Sequence, residues 1–280
     1  MRSRFVQLIF ALIVLFNVGS SFGDNPLPVN GRIKHTTFPK IGSLLSFNIF
    51  AFVQIDQDNF EIGSTRNESI QGLNSKSNDD IEFLPVKVYE KFPNLIAYQF
   101  KSSAVRSVEY KHFEKLKELE SISLIDNQIL QITNDAFKDS PKLKYLNLNE
   151  NLLVDICFID SITSLWMVDF TANQIEHLQS DAFEHLTELR NVSLQINKLT
   201  SFDANYFANN KKLEFIWIDN NQFKSINPLN FEDKKNLIYV DLRGNKCIND
   251  YYRNFTEMRI QIDEKCVKNI DAAAENIKCR

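Results

Sequence analysis

The chain has 280 residues, 44% hydrophobic and 24% charged, with a formal net charge of −4 and no block of like charge. This balance argues against nucleic acid or an anionic membrane as partner. Only seven glycines are present, and no phosphate-cradling glycine loop or G-x-S-x-G elbow occurs.

The amino terminus opens with the basic stretch Met1-Arg-Ser-Arg4, followed by an apolar run at 5–16. That run is shorter than the about 20 residues a bilayer span requires. A signal peptide over 1–23 is therefore expected. Ser21 and Gly23 suit a cut before Asp24, and a cut two or three residues earlier is also compatible. Losing Arg2 and Arg4 leaves 30 basic against 36 acidic side chains. No later segment is apolar enough to cross a membrane, and the polar terminus 276–280 lacks a lipid-anchor signal. A secreted, extracellular product is expected. The region 24–80 forms an amino-terminal cap region and polar loop. Within it, 41–55 is rich in β-formers and predicts one or two strands over the first coil. Residues 64–80 read as a loop, and Gln71 and Asn74 fail a strand pattern.

From residue 81 a repeat takes over. Leu95, Leu119, Leu143, Leu165, Leu189, Leu213 and Leu237 open seven copies, with steps of 24, 24, 22, 24, 24 and 24 residues. Such a fixed period signals stacked repeats. The clearest copy sets Leu119, Ile122, Leu124, Asn127 and Ile129 in L-x-x-L-x-L-x-x-N-x-L. The alternation Leu146-x-Leu148 predicts a short strand whose leucines point into the coil while the intervening residues point out. Asn127, Asn151, Asn173, Asn197, Asn221 and Asn245 stand in phase, where an amide can satisfy turn backbone in its own and adjacent coils. Phe113, Phe137, Phe183, Phe207 and Phe231 each sit six residues before the next leading leucine and should line the convex wall. Tyr89 holds that place before Leu95. Ile81 and Leu84 match Val105, Ile129 and Ile132, so the array starts half a coil early, near Ile81. Ser103 replaces the asparagine in the first full copy. A solenoid of this length buries a continuous core and needs no disulfide framework for bulk stability.

These motifs resemble the typical leucine-rich repeats of extracellular proteins such as Toll-like receptor ectodomains, over residues 81–246. Together with Phe92-Pro-Asn-Leu95 and the ending Gly-Asn245-Lys-Cys247, the chain is similar to small secreted leucine-rich repeat proteins of insects, some of which serve immunity. The resemblance implies an α/β solenoid, a horseshoe with a concave parallel sheet and an irregular or short-helical convex side. A β-rich amino-terminal cap and a helical, cysteine-containing carboxyl-terminal cap at 247–280 complete it. One departure is that 24–90 contains no cysteine, although extracellular members often carry a cysteine-bearing amino-terminal cap.

Cys157, Cys247, Cys266 and Cys279 allow three pairings. Cys247–Cys266 is expected, clamping the cap after a short amphipathic helix at 251–264. Cys157, in the shortened repeat, reads as a small buried thiol. Cys279 then either reaches back to Cys157 or is free to link another chain. Sequons stand at Asn67, Asn191 and Asn254. Asn67 and Asn254 lie in polar or cap segments, whereas Asn191 flanks Val192 on a strand, and its occupancy is left open by the sequence.

His35, His112, His177 and His185 form no metal or catalytic spacing and read as solvated surface residues. No cofactor is indicated, repeat surfaces lack a deep pocket, and an enzyme is not expected. The concave positions then carry function. They run from Ala97, Gln99 and Lys101 through Tyr145, Asn147 and Asn149 to the last two repeats. There Phe215, Trp217 and Tyr239 stand with Asp219, Asp241 and Arg243, as interface anchors do; alternatively, the carboxyl-terminal cap folds over these rings. Two function classes follow. One is a secreted protein that binds an extracellular protein or microbial surface on its concave face. The other is a structural or adhesive matrix protein.

Overall fold

A computed structural model describes residues 52–55, 71–75, 81–202 and 205–267 of the chain. Its frame is a ten-stranded sheet. Strands β1 (Phe52–Ile55), β2 (Gly72–Ser75) and β3 (Ala97–Gln99) lead into Ser121–Ser123, Tyr145–Asn147, Met167–Asp169, Asn191–Ser193, Phe215–Trp217 and Tyr239–Asp241, all parallel. Tyr251–Tyr252 closes the edge antiparallel to Tyr239–Asp241. The register places every leucine-repeat position opposite its counterpart one coil on: Tyr98, Ile122, Leu146, Val168, Val192, Ile216 and Val240 form one buried row. This is the solenoid that the period implies: each strand hides its apolar edge only because the next coil stacks on it.

The asparagine column supplies the stitching. Nδ2 of Asn197 donates to the Phe170 carbonyl of the preceding coil at 2.9 Å and to the Leu194 and Gln195 carbonyls of its own turn at 3.1 Å. Its Oδ1 accepts the backbone N–H of Ile175 at 3.0 Å. Asn151, Asn173, Asn221 and Asn245 repeat both halves of this pattern. The turn forces the preceding residue into the left-handed region, with φ of 51–65° at Ser102, Asp126, Glu150, Ala172, Ile196, Asn220 and Gly244. At Gly244 a Cβ would lie 2.5 Å from Asn220 Oδ1 and 3.2 Å from Asn220 Cα, which favours glycine there. Ile196 is the costliest occupant, because a β-branched side chain crowds its own backbone at positive φ.

The convex wall is built from short elements. Helices α1 (Val88–Lys91) and α2 (Tyr110–Phe113), two 3-10 turns (Cys157–Ser161 and Pro228–Asn230) and two pairs of two-residue strands connect the coils. The five phenylalanines of the column are buried, with Phe113 and Phe137 at 5.3 Å and Phe183 and Phe207 at 5.2 Å between ring centroids. In the 22-residue repeat the 3-10 turn brings Phe158 into that row, 6.0 Å from Phe137. One expectation fails here: His112 is a core residue, not a surface one. Its Nδ1 accepts the Glu109 N–H at 2.9 Å in a capping arrangement at the start of Tyr110–Phe113.

Burial, with Lys111 adding to it, lowers the His112 pKa to about 4. The unfolded chain therefore binds more protons between that value and the ordinary histidine range. Stability on this account is complete above about pH 6.5 and is lost as pH falls toward 4, by about 3 kcal/mol. We expect urea unfolding at a series of pH values to show this slope. His112→Gln, which keeps an acceptor without a titrating ring, should flatten it; an unchanged slope would contradict the assignment.

The structure differs from the sequence expectation in two further respects. Gly72–Ser75, placed by composition in a polar loop, is a strand in register with Ala97–Gln99, and Leu73 is buried in the core. A four-residue stretch with one apolar side chain lacks a sequence signature; the neighbouring strand supplies the pairing. The strand Phe52–Ile55 continues the sheet outward, within the segment expected to be β-forming. At the other end, helix α3 (Phe255–Lys265) seats Met258 and Ile262 against the last coil, and Cys247 is bonded to Cys266 across a Cα separation of 5.2 Å. Second, Cys157 is half-buried and disulfide-bonded, which corrects the expectation of a buried free thiol. A thiol on a convex turn has no apolar enclosure to keep it inert. Cys279, like Asn67, His35 and the expected signal peptide, lies outside the described residues.

Candidate functional site on the concave sheet

Alternation along each strand sends one side chain into the coil and the next onto the concave face. Phe215, Trp217 and Tyr239 therefore form an apolar cluster separate from the solenoid core. Phe215 and Trp217 stack at 5.5 Å, Trp217 meets Tyr239 at 6.4 Å, and Tyr251 continues the row at 5.8 Å. The sequence reading had these rings exposed. They are buried, with 5, 3 and 8% of their surface left. Neighbouring strands bring the large rings close enough to cover each other, and Tyr251 of the carboxyl-terminal cap packs on Tyr239.

Charged residues border the cluster. Asp241 accepts from Tyr239 Oη at 2.8 Å and from the Arg243 guanidinium through Nε at 2.9 Å and an Nη at 2.5 Å. Arg243 also lies over the Tyr251 ring at 5.5 Å. Asp219 accepts only from neutral amides, those of Gln195 and Asn220. Burial, and then repulsion from Asp241, raises its pKa. The structure thus brings together all six residues singled out in the sequence.

It also shows a role for concave polar residues outside the aromatic cluster, shared with Asp241 inside it. Asn147 Oδ1 accepts the Asn149 N–H at 3.0 Å, Asp169 Oδ1 accepts the Thr171 N–H at 2.9 Å, and Asp241 Oδ1 accepts the Arg243 N–H at 3.2 Å. All three side chains occupy the same place in their repeats and use one atom to close the same turn. Their phase in the repeat was the available signal. Thr171, Ser193 and Gln195 then bond side chain to side chain, reaching Asp219. Ser123 Oγ, Asn147 Nδ2, Asn149 Oδ1 and Asp169 Oδ2 are buried without a hydrogen-bond partner among the described residues. Each such orphan costs about 1–3 kcal/mol.

Along the adjoining flank, Trp166 lies between Lys144 (5.3 Å) and Arg190 (5.4 Å), which pair onward with Glu120 and Glu214. The charges of this flank pair off, while Arg190 Nε is buried without a partner among the described residues. Asn191 is half-buried at the strand edge, whereas Asn254 is exposed and caps Phe255–Lys265, its Oδ1 accepting from the Thr256 and Glu257 N–H groups. Among the described residues no group of histidine, cysteine and acidic side chains could hold a metal, and no helix is long and apolar enough to cross a membrane.

A Leucine rich repeat family model matches residues 99–153, 117–175 and 163–223. Leucine-rich repeat-containing G-protein coupled receptor 5 of Rattus norvegicus is 24% identical over 64% of this chain and 20% of its own length. Tsukushi of Gallus gallus is 25% identical over 55% of this chain and 42% of its own. The chain thus spans between a fifth and less than half of these relatives. In fold it is similar to the Drosophila Toll–Spatzle complex structure, with a TM-score of 0.55, 21% identity, and coverage of 69% of this chain and 29% of that one. In fold this chain is a leucine-rich-repeat solenoid, and its repeats are similar to those of a leucine-rich-repeat receptor and of Tsukushi.

Proposed function

We propose that this is a secreted, extracellular matrix-type leucine-rich-repeat protein that holds another extracellular protein against its concave sheet, in an adhesive or organising role. The observation that carries the reading is the aromatic cluster of Phe215, Trp217 and Tyr239 bordered by Asp219, Asp241 and Arg243. Such clusters concentrate binding energy where interfaces form. Similarity to Tsukushi supports the matrix role. The basic and apolar start at 1–16 supports export. An exposed sequon at Asn254 fits a glycan, because attachment at Nδ2 leaves the capping Oδ1 in place. The half-buried Asn191 fits one less well. A second reading, a freely diffusing recognition protein for a protein or microbial-surface ligand, draws on the likeness to Toll.

Fractionation of the secreted full-length protein tests the choice. Retention in the insoluble matrix, released by combining Trp217→Ala with Tyr239→Ala in a variant that keeps native circular dichroism, is the expected result. Recovery of the native protein as a free monomer in the fluid would reject the matrix role and leave the recognition reading. Equal retention of native and variant would reject the cluster as the contact.

A further inference from the structure

We infer that the concave sheet takes an arginine side chain of its protein partner at Asp169, beside Asn147 and Asn149. The inference rests on the reading that the concave sheet is the docking face, and it adds the chemistry of what docks.

The protein itself contains the completed version of this site. Asp169 and Asp241 occupy the same place in their repeats, and each closes its turn by accepting the N–H of the residue two further on, Thr171 at 2.9 Å and Arg243 at 3.2 Å. In the last repeat that residue is an arginine, and its guanidinium turns back onto the Asp241 carboxylate through two bonds. In the central repeat it is Thr171, a neutral residue whose hydroxyl lies 2.7 Å from that of Ser193 and whose side chain also bonds the Asp169 carboxylate. Asp169 Oδ2 is still without a donor among the described residues, while the residue is 1% exposed. A carboxylate enclosed in this way, without a cation, is an unfinished pair.

The surroundings favour a guanidinium over a bare positive charge. Asn149 Oδ1, on the turn that follows the neighbouring strand, is a second buried acceptor without a partner. Two acceptors on neighbouring coils suit the planar fork of arginine, whose N–H groups diverge, better than the compact ammonium of lysine. Among the described residues no cation acts on Asp169: burial raises its pKa, hydrogen bonds from Thr171 oppose this, and the one charge that contributes is Glu150, also negative. Arg190 and Lys144, on the flank, are committed to Glu214 and Glu120.

The test uses the mature full-length protein and a short neutral peptide carrying one arginine, against the same peptide with citrulline, which keeps the shape and loses the charge. Titration followed by nuclear magnetic resonance should show saturable shifts at Asp169 and Asn147 with the arginine peptide. Binding should be about tenfold weaker with citrulline, and about tenfold weaker for Asp169→Asn. Asp181→Asn, on the convex side, should bind as the native protein does. Thr171→Arg supplies the missing group from within the chain, as Arg243 does, and should raise the melting temperature while blocking the peptide. Equal affinity for arginine and citrulline overturns the inference, as does unchanged binding by Asp169→Asn or by Thr171→Arg. Because the peptide assay needs no matrix, loss of matrix retention with intact arginine binding would count against the matrix role alone.

Discussion

Asn197→Ala should destabilise the protein by about 3–5 kcal/mol, one of the largest effects available to a single polar substitution. The side chain is buried, donates to three carbonyls and accepts one N–H, and two of those four partners belong to the preceding coil. Alanine removes the bonds and leaves the carbonyls of Phe170, Leu194 and Gln195 and the N–H of Ile175 enclosed and unmatched. In a solenoid each coil is held by its neighbours, so a break at the centre weakens the coupling between two halves. Urea unfolding with hydrogen exchange as a second readout should show lower stability and lost protection on both sides of the substituted coil. Asn127 provides an internal control. It makes the same three donations, but its Oδ1 has no partner, because the coil before it is the one where Ser103 replaces the asparagine. Asn127→Ala should therefore cost about 1 kcal/mol less than Asn197→Ala. Equal losses would mean that the accepted N–H contributes nothing, and the column would be held by its donations alone.

That pair of residues also shows what a sequence can and cannot say here. The asparagine column was legible because six residues recur in phase and one chemical group explains them all. The strands followed from the alternation around each leading leucine, and they appear at the expected register. What escaped were features set by a neighbour in space. Gly72–Ser75 is a strand because Ala97–Gln99 offers it an edge, though only Leu73 of its residues has the character of a buried strand position. His112 is buried because a helix of four residues turns it inward, and no spacing distinguishes it from His177, which is exposed. Phe158 is not in the column by count, since its repeat is two residues short; the 3-10 turn at Cys157–Ser161 restores the packing.

The candidate site was legible in the same partial way. Period alone placed Trp217, Tyr239, Asp241 and Arg243 on one face. It did not reveal that the rings cover one another, nor that Asp241 is paired while Asp169 is not. Those facts depend on which side chain stands two residues on, arginine in one repeat and threonine in another. The repeat therefore dictates the scaffold of the concave face, and single departures from the repeat decide its chemistry.

The convex wall carries the other large effect. Phe183→Ala is expected to cost about 3–5 kcal/mol, the usual range for removing a fully enclosed ring. Phe183 has none of its surface exposed and leans on Phe207 at 5.2 Å. Its backbone carbonyl accepts from Asn210 Nδ2 at 2.9 Å, and the same amide donates to Leu186 at 2.7 Å. These bonds pin the turn on both sides of the ring, so the walls cannot collapse into the space that alanine leaves. A residual cavity adds to the lost transfer energy, which places the substitution toward the upper part of that range. Phe183→Leu refills most of the volume and should cost markedly less, about 1–1.5 kcal/mol. Thermal or urea unfolding of the two variants separates the explanations. A large difference between them identifies packing as the cause, whereas equal destabilisation would show that the aromatic contact with Phe207, rather than filled volume, holds this part of the wall.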